Sequence, residues 1–270
     1  MPYSSAIYNK IGNLEDAVRA FEAKKAKHPT LLNLFRQVFV EGNKNDAFGI
    51  SLLHKHFSIF ENQVLVETNN VTTPWRLSAS TFDQLREKGY AEYEDSIIYP
   101  TSWMVVPAGP TNKTAKLMPF EFAFSPEGAI GLPKIMHNNP SAPEHTGFAQ
   151  DFANMIRTLD LQDVVALTAL PEVDIDGAIE TTIGNKNILR LKGEHNVASP
   201  DHPAEGKHNI QASFFWPTKP DGTIPIKAKG ASCEGWDTCK ATVKDTSGQK
   251  HDVYNTHKSN LGSRRLVDCS

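Results

Sequence analysis

Apolar residues in the first forty positions recur at helical spacing. Leu14, Ala17, Val18 and Phe21 form one stripe, and Leu31, Leu34, Phe35 and Val38 form a second. Asn13 and Thr30 stand just before these stripes, where a short polar side chain can accept from the free amides of a first helical turn. Pro29 and Gly42 punctuate the two runs, so the pattern predicts two N-terminal helices. From Phe48 the period changes to alternation. Residues 48–67 are rich in Ile, Leu, Val and Phe, broken at Glu61-Asn62, and predict a β-hairpin that turns there. A short helix is expected over Ser80 to Lys88, stopped by Gly89, followed by strands at 95–99, 102–106 and 118–124.

The clearest helical stripe starts at Thr146, where Phe148, Phe152, Met155, Ile156 and Leu159 share one face. Strands are expected at 164–170, 178–183, 187–192 and 208–216, the middle two flanking a Gly184-Asn185 turn. After Trp216, Gly, Pro, Lys, Ser and Thr dominate and periodicity fades. Strands and helices do not alternate regularly, which argues against a doubly wound parallel sheet. The expectation is one α+β domain over residues 1–216. It has N-terminal helices, then a mainly antiparallel, barrel-like sheet with one long inserted helix. Residues 217–270 are expected to form an irregular C-terminal segment.

Composition narrows the class of protein without choosing a function. Of 270 residues, 39% are hydrophobic and 22% charged, enough apolar material to fold without disulfide or metal staples. A formal net charge of −3 and the lack of a basic stripe leave nothing that asks for nucleic acid. No run approaches the roughly eighteen apolar residues of a membrane helix. The N-terminus lacks the basic-then-apolar order of a signal peptide. No membrane partner and a cytoplasmic location are expected. The three cysteines, Cys233, Cys239 and Cys269, make no disulfide framework. A glycine-rich phosphate loop, Gly-x-Ser-x-Gly and the metalloprotease helix motif are all absent, which removes several enzyme classes in their standard forms.

One constellation carries chemistry. His54 and His56 are two apart, so on a strand both imidazoles project from one face. With the turn at Glu61-Asn62, His56 would lie opposite Glu67 and His54 opposite Asn69, at about 4.5–5.5 Å between Cβ atoms. Two imidazoles and a carboxylate are a ligand set favoured by iron and zinc, and equally an acid–base pair with an orienting partner. His54-x-His56 followed by Glu61 also resembles a fragment of the cupin metal motif. The glycine expected after the acidic residue and the second motif are both missing, so the family is not assigned. Glu61 is the weaker third ligand and Glu67 the stronger.

A second candidate lies in the C-terminal segment. Cys233-x5-Cys239 followed by His251-x5-His257 supplies two thiolates and two imidazoles, enough for a tetrahedral zinc shell. Its spacings lie off the usual finger pattern. The leading expectation is an enzyme acting on a small organic molecule, with His54, His56 and Glu67 as metal ligands or acid–base groups. The cofactor would be a divalent metal, iron or zinc. The rival is a non-catalytic binding protein whose C-terminal segment is stabilised by zinc.

Overall fold

The structure, a computed structural model, describes residues 5–107, 115–126, 138–192, 207–236, 238–244 and 250–256. A single short turn, α1 (Ser5–Tyr8), precedes α2 (Leu14–Lys27), whose first turn is capped as expected: the Asp16 amide donates to Asn13 Oδ1 at 2.8 Å. Helix α3 (Leu31–Glu41) follows Thr30, which makes no side-chain cap. Helix α4 (Ala79–Lys88) starts on a Ser78 cap and ends at Gly89, whose φ of 75° is the left-handed geometry that glycine supplies at low cost. Helix α5 (Thr146–Thr158) buries Phe152, Ala153 and Ile156, as its stripe requires.

The strands are β1 (Phe48–Leu52), β2 (Gln63–Thr68), β3 (Val71–Arg76), β4 (Ala91–Tyr93), β5 (Ser96–Pro107), β6 (Ala115–Ser125) and β7 (Val165–Ala169). They continue as β8 (Ile179–Ile183), β9 (Lys186–Arg190), β10 (Lys207–Gln211), β11 (Ser213–Phe214) and β12 (Ser232–Trp236). These form one large sheet in the order β10-β12-β8-β9-β3-β2-β6-β5-β7-β1-β11, with β4 added beside β5. The two ends of that order, β10 and β11, are separated in sequence by Ala212 alone. The Ala212 carbonyl accepts from Leu52 and its amide donates to Ala231. The sheet therefore curls back on itself and is nearly barrel-shaped. Its pairings are antiparallel except β2–β6 and β8–β12. A separate hairpin joins β13 (Thr238–Lys244) to β14 (Lys250–Thr256).

Alternation along the strands sorts the two faces. Phe48, Ile50 and Leu52 of β1 and Val165, Leu167 and Ala169 of β7 pack outward against α2, α3 and α5 in the largest apolar cluster. Met104, Met118, Phe120, Leu65 and Ala166 form a second cluster on the other face. Burial of this kind contributes about 25 cal/mol per Å² of apolar surface, and it needs no disulfide.

Two expectations change here. The hairpin predicted over 48–67 does not form: β1 pairs with β7 and β11, and β2 pairs with β3 and β6. The tight turn falls instead at Asn69-Asn70, with φ of 51° and 62°, between β2 and β3. Asparagine tolerates left-handed φ, and two such residues in a row suit the twist of a hairpin, whereas Glu61 does not. The segment after Trp216 is also not irregular throughout. Its strand β12 lies between β10 and β8 inside the main sheet.

Candidate metal centre

His54 and His56 sit on the irregular segment between β1 and β2, not on a strand. That segment is held by the chain just after α1. Asn9 donates to the Ile59 carbonyl at 2.8 Å and accepts from the Ile59 amide at 3.0 Å, and Lys55 reaches back to the Asn9 and Gly12 carbonyls. Both imidazoles point the same way even so, with ring centroids 4.5 Å apart in an edge arrangement.

They meet Glu180 of β8 and Cys233 of β12. These two residues are direct partners in the parallel β8–β12 pairing. One ligand atom from each of His54, His56, Glu180 and Cys233 lies within 4.8 Å of every other. Donor atoms around a tetrahedral zinc stand roughly 3.3–3.8 Å apart for bonds of about 2.0–2.3 Å. The Cys233 thiol donates to Glu180 Oε2 at 3.0 Å, slightly closer than that range, and His56 Nε2 lies within it, 3.4 Å from Glu180 Oε2. Cys233 Sγ is 3.6 Å from His54 Nε2.

The atoms facing away from the centre are all occupied. His54 Nδ1 lies 2.8 Å from the Leu52 carbonyl, so it carries the proton and Nε2 presents its lone pair. Thr182 Oγ1 spends its one hydrogen on Asn187 Oδ1 at 2.6 Å, and so can only accept from His56 Nδ1 at 2.8 Å. The Asn187 amide donates to Glu180 Oε1 at 2.6 Å, leaving Oε2 directed inward. Such outer partners set the tautomer and aim of metal-binding groups.

Electrostatics follow from burial. Desolvation, helped by the charge of His56, pulls His54 down to about 4, so it is neutral at physiological pH. Burial also disfavours charge on His56, but the Glu180 carboxylate, through its charge and hydrogen bond, raises His56 above the usual imidazole value. Glu180 loses solvation too, yet the same imidazole brings it down to about 2. Burial, and then Glu180, push the Cys233 thiol well above its ordinary value. A bound divalent cation would reverse that last effect, since a coordinating thiol is deprotonated by its metal.

His54, His56, Glu180 and Cys233 all line a cavity of about 80 Å³, several times the roughly 10–15 Å³ that one water needs. Phe120 and Glu121 of β6 both line it, although neighbours on a regular strand point to opposite faces. The β5–β6 register shifts around Ser102, a bulge that brings consecutive side chains to one wall. Glu121 hydrogen-bonds with Ser102. Burial, and then the charge of Glu180, raise its carboxyl to about 7.

Of the residues expected from sequence, His54 and His56 are brought together. Glu67, on β2, is not among the four converging ligands, though burial and the charge of Glu180 raise its pKa. Glu61 is exposed in the turn before β2. Cys233 stands in the barrel cluster, while Cys239 and His251 belong to β13 and β14 and His257 lies outside the described residues. Sequence reasoning missed Glu180, the role of Cys233 there, and Glu121. The signals were faint: Glu180 and Thr182 alternate on one strand face, and Glu121 is a lone carboxylate inside Pro119-Phe120-Glu121-Phe122-Ala123-Phe124.

No family model matches this chain, and neither the curated proteins nor the solved structures searched offer a match. Among the described residues, no helix is long and apolar enough to cross a membrane.

Proposed function

We propose that this chain is a metal-dependent enzyme acting on a small organic molecule inside its barrel. His54, His56, Glu180 and Cys233 would hold the ion. The observation that carries this reading is the convergence of four ligand atoms of the right kinds, with the atoms behind them already hydrogen-bonded. A hydrophobic sheet has no packing reason to gather two imidazoles, a thiol and a carboxylate, because each costs desolvation. Imidazole and thiolate donors suit zinc far better than magnesium or calcium, and the two histidines with one carboxylate also suit ferrous iron. Bound there, the ion would supply a Lewis acid to a substrate entering from the cavity. The protein's part is to aim the donors through Leu52, Thr182 and Asn187.

A second reading rests on the ligand count. Four protein ligands close a tetrahedral shell, as structural zinc sites do. The cavity favours the enzyme reading, since besides the four ligands it takes in Ser51, Glu121 and Ser213, which a closed structural site does not use.

Both readings are tested by titrating metal-stripped protein with Co²⁺ and Zn²⁺. One equivalent should bind, with a thiolate-to-cobalt charge-transfer band that disappears in Cys233→Ser. Thr182→Val, which removes the acceptor behind His56 together with the hydroxyl that donates to Asn187, should weaken binding about 10–100-fold. Absence of stoichiometric binding would sink both. A cobalt spectrum that never responds to added small ligands would leave the structural reading in place of the catalytic one.

A further inference from the structure

The cavity that the four ligands line has further polar groups on its wall. Beyond those ligands, Glu121, Ser51 and Ser213 supply polar atoms, and Leu52, Phe120, Ala212 and Ala231 are apolar. Among the described residues no lysine or arginine lines it. Ser102 hydrogen-bonds to the Glu121 carboxyl. Ser102 Oγ is 3.4 Å from Thr168 Oγ1, which is 2.7 Å from Ser51 Oγ, back on the cavity wall. A file of three hydroxyls thus runs across β5, β7 and β1 and ties the carboxyl to the other side of the same space.

The charges can be counted. With a divalent cation in place, the Glu180 carboxylate and a Cys233 thiolate balance it. Nothing on the cavity wall then offsets Glu121, and Glu67 stands near enough to Glu180 for their charges to interact. An anion entering this space would meet a carboxylate in a low-dielectric surround, where like charges repel strongly. A molecule with a hydroxyl or amine would instead find an acceptor.

We propose that Glu121 is the substrate-recognising group of this cavity, and that the molecule taken there is small, uncharged or cationic, with an O–H or N–H donor. This rests on the metal-centre reading above. The cavity's size, part of which the ion itself would take, sets the upper limit, a molecule of a few heavy atoms in its reacting part. Glu121 shares the cavity wall with all four ligands. Anionic substrates, carboxylates and phosphates among them, are disfavoured by the same group.

The test uses the full chain loaded with Co²⁺, with imidazole as a neutral N–H-bearing probe and azide as an anionic one. Both are titrated at about pH 8.5, well above the imidazole range, with the cobalt visible spectrum as readout. The wild-type protein should bind imidazole at least about tenfold more tightly than azide. Glu121→Gln keeps the shape and removes the charge, and should tighten azide by about tenfold. Glu121→Asp keeps the charge and should still exclude azide. Thermal unfolding of each variant identifies any that fail to fold, and the wild-type preference alone remains decisive in that event. Equal affinity of the two probes for wild type overturns the proposal, as does relaxation in Asp as large as in Gln. If no cobalt–thiolate band forms, the metal-centre reading itself fails, a different outcome from bound cobalt that does not discriminate.

Discussion

Glu121 carries a free-energy cost that can be measured without any substrate. Its carboxyl is held at about 7, against an ordinary value of 4.5, because burial and then Glu180 disfavour the charged form. Between those two values the folded protein keeps a proton that the unfolded chain has released. Stability therefore falls as pH rises from about 4.5 to 7 and levels above that. Glutamine has no proton to lose. Metal-free Glu121→Gln should be more stable than wild type by on the order of 3 kcal/mol at pH 8, at 1.36 kcal/mol per unit, with the gain vanishing near pH 4.5. Denaturant unfolding at the two pH values checks this. Equal stabilities at pH 8 would mean that water reaches the carboxyl. His54 works in the opposite direction. Its depressed value means that stability present above about 6.5 is lost as pH falls toward 4, so in the apo protein the two slopes largely cancel over the window they share.

At the level of elements, what the sequence revealed depended on whether the determinant was local. The cap at Asn13, the stop at Gly89, the α5 stripe and the Gly184 turn all act within a few residues and could be read directly, whereas the Ser78 cap was missed and the one expected at Thr30 does not form. Strand β12 could not. Ser232-Cys233-Glu234-Gly235-Trp236 has almost no apolar alternation, and its neighbours β8 and β10 lie more than twenty residues away in the chain. What seats it is close approach. At Gly230 a Cβ would lie 2.0 Å from the Ser213 carbonyl oxygen, and at Gly49 one would lie 2.4 Å from that of Phe214. These two glycines let β1, β11 and the 229–231 segment press together at the seam of the barrel. Backbone rather than a flexible side chain is the obstacle, so Gly230→Ala must shift the strand. The expected loss is about 1–3 kcal/mol by the usual cost of overpacking. Because Cys233 follows three residues later, cobalt or zinc affinity should fall as well. Unchanged affinity alongside lowered stability would separate the seam from the ligand set.

For the whole molecule, the candidate centre exists only because the sheet closes. His54 and His56 come from the segment after β1, Glu180 from β8 and Cys233 from β12, and the register of a nearly closed sheet superimposes them. Half the cluster was readable because His-x-His is contiguous; the other half needed strand order, which no local pattern encodes. In the same architecture a bound metal would act as a staple across the seam. An ion that binds the folded state alone should stabilise it by about 2.7 kcal/mol when free metal is a hundredfold above the dissociation constant. Removing zinc with a chelator should reverse this, and amide exchange should quicken in β8, β12 and residues 53–56 before it does in α2 and α3. The C-terminal ligand set predicts otherwise. Were zinc held by Cys233, Cys239, His251 and His257, the double variant Cys239→Ser with His251→Ala would abolish the stabilisation. With the ion in the barrel, that variant keeps the full zinc-dependent gain, and His54→Ala loses it. Unfolding curves for the two variants, each with and without zinc, decide which set of residues closes around the metal.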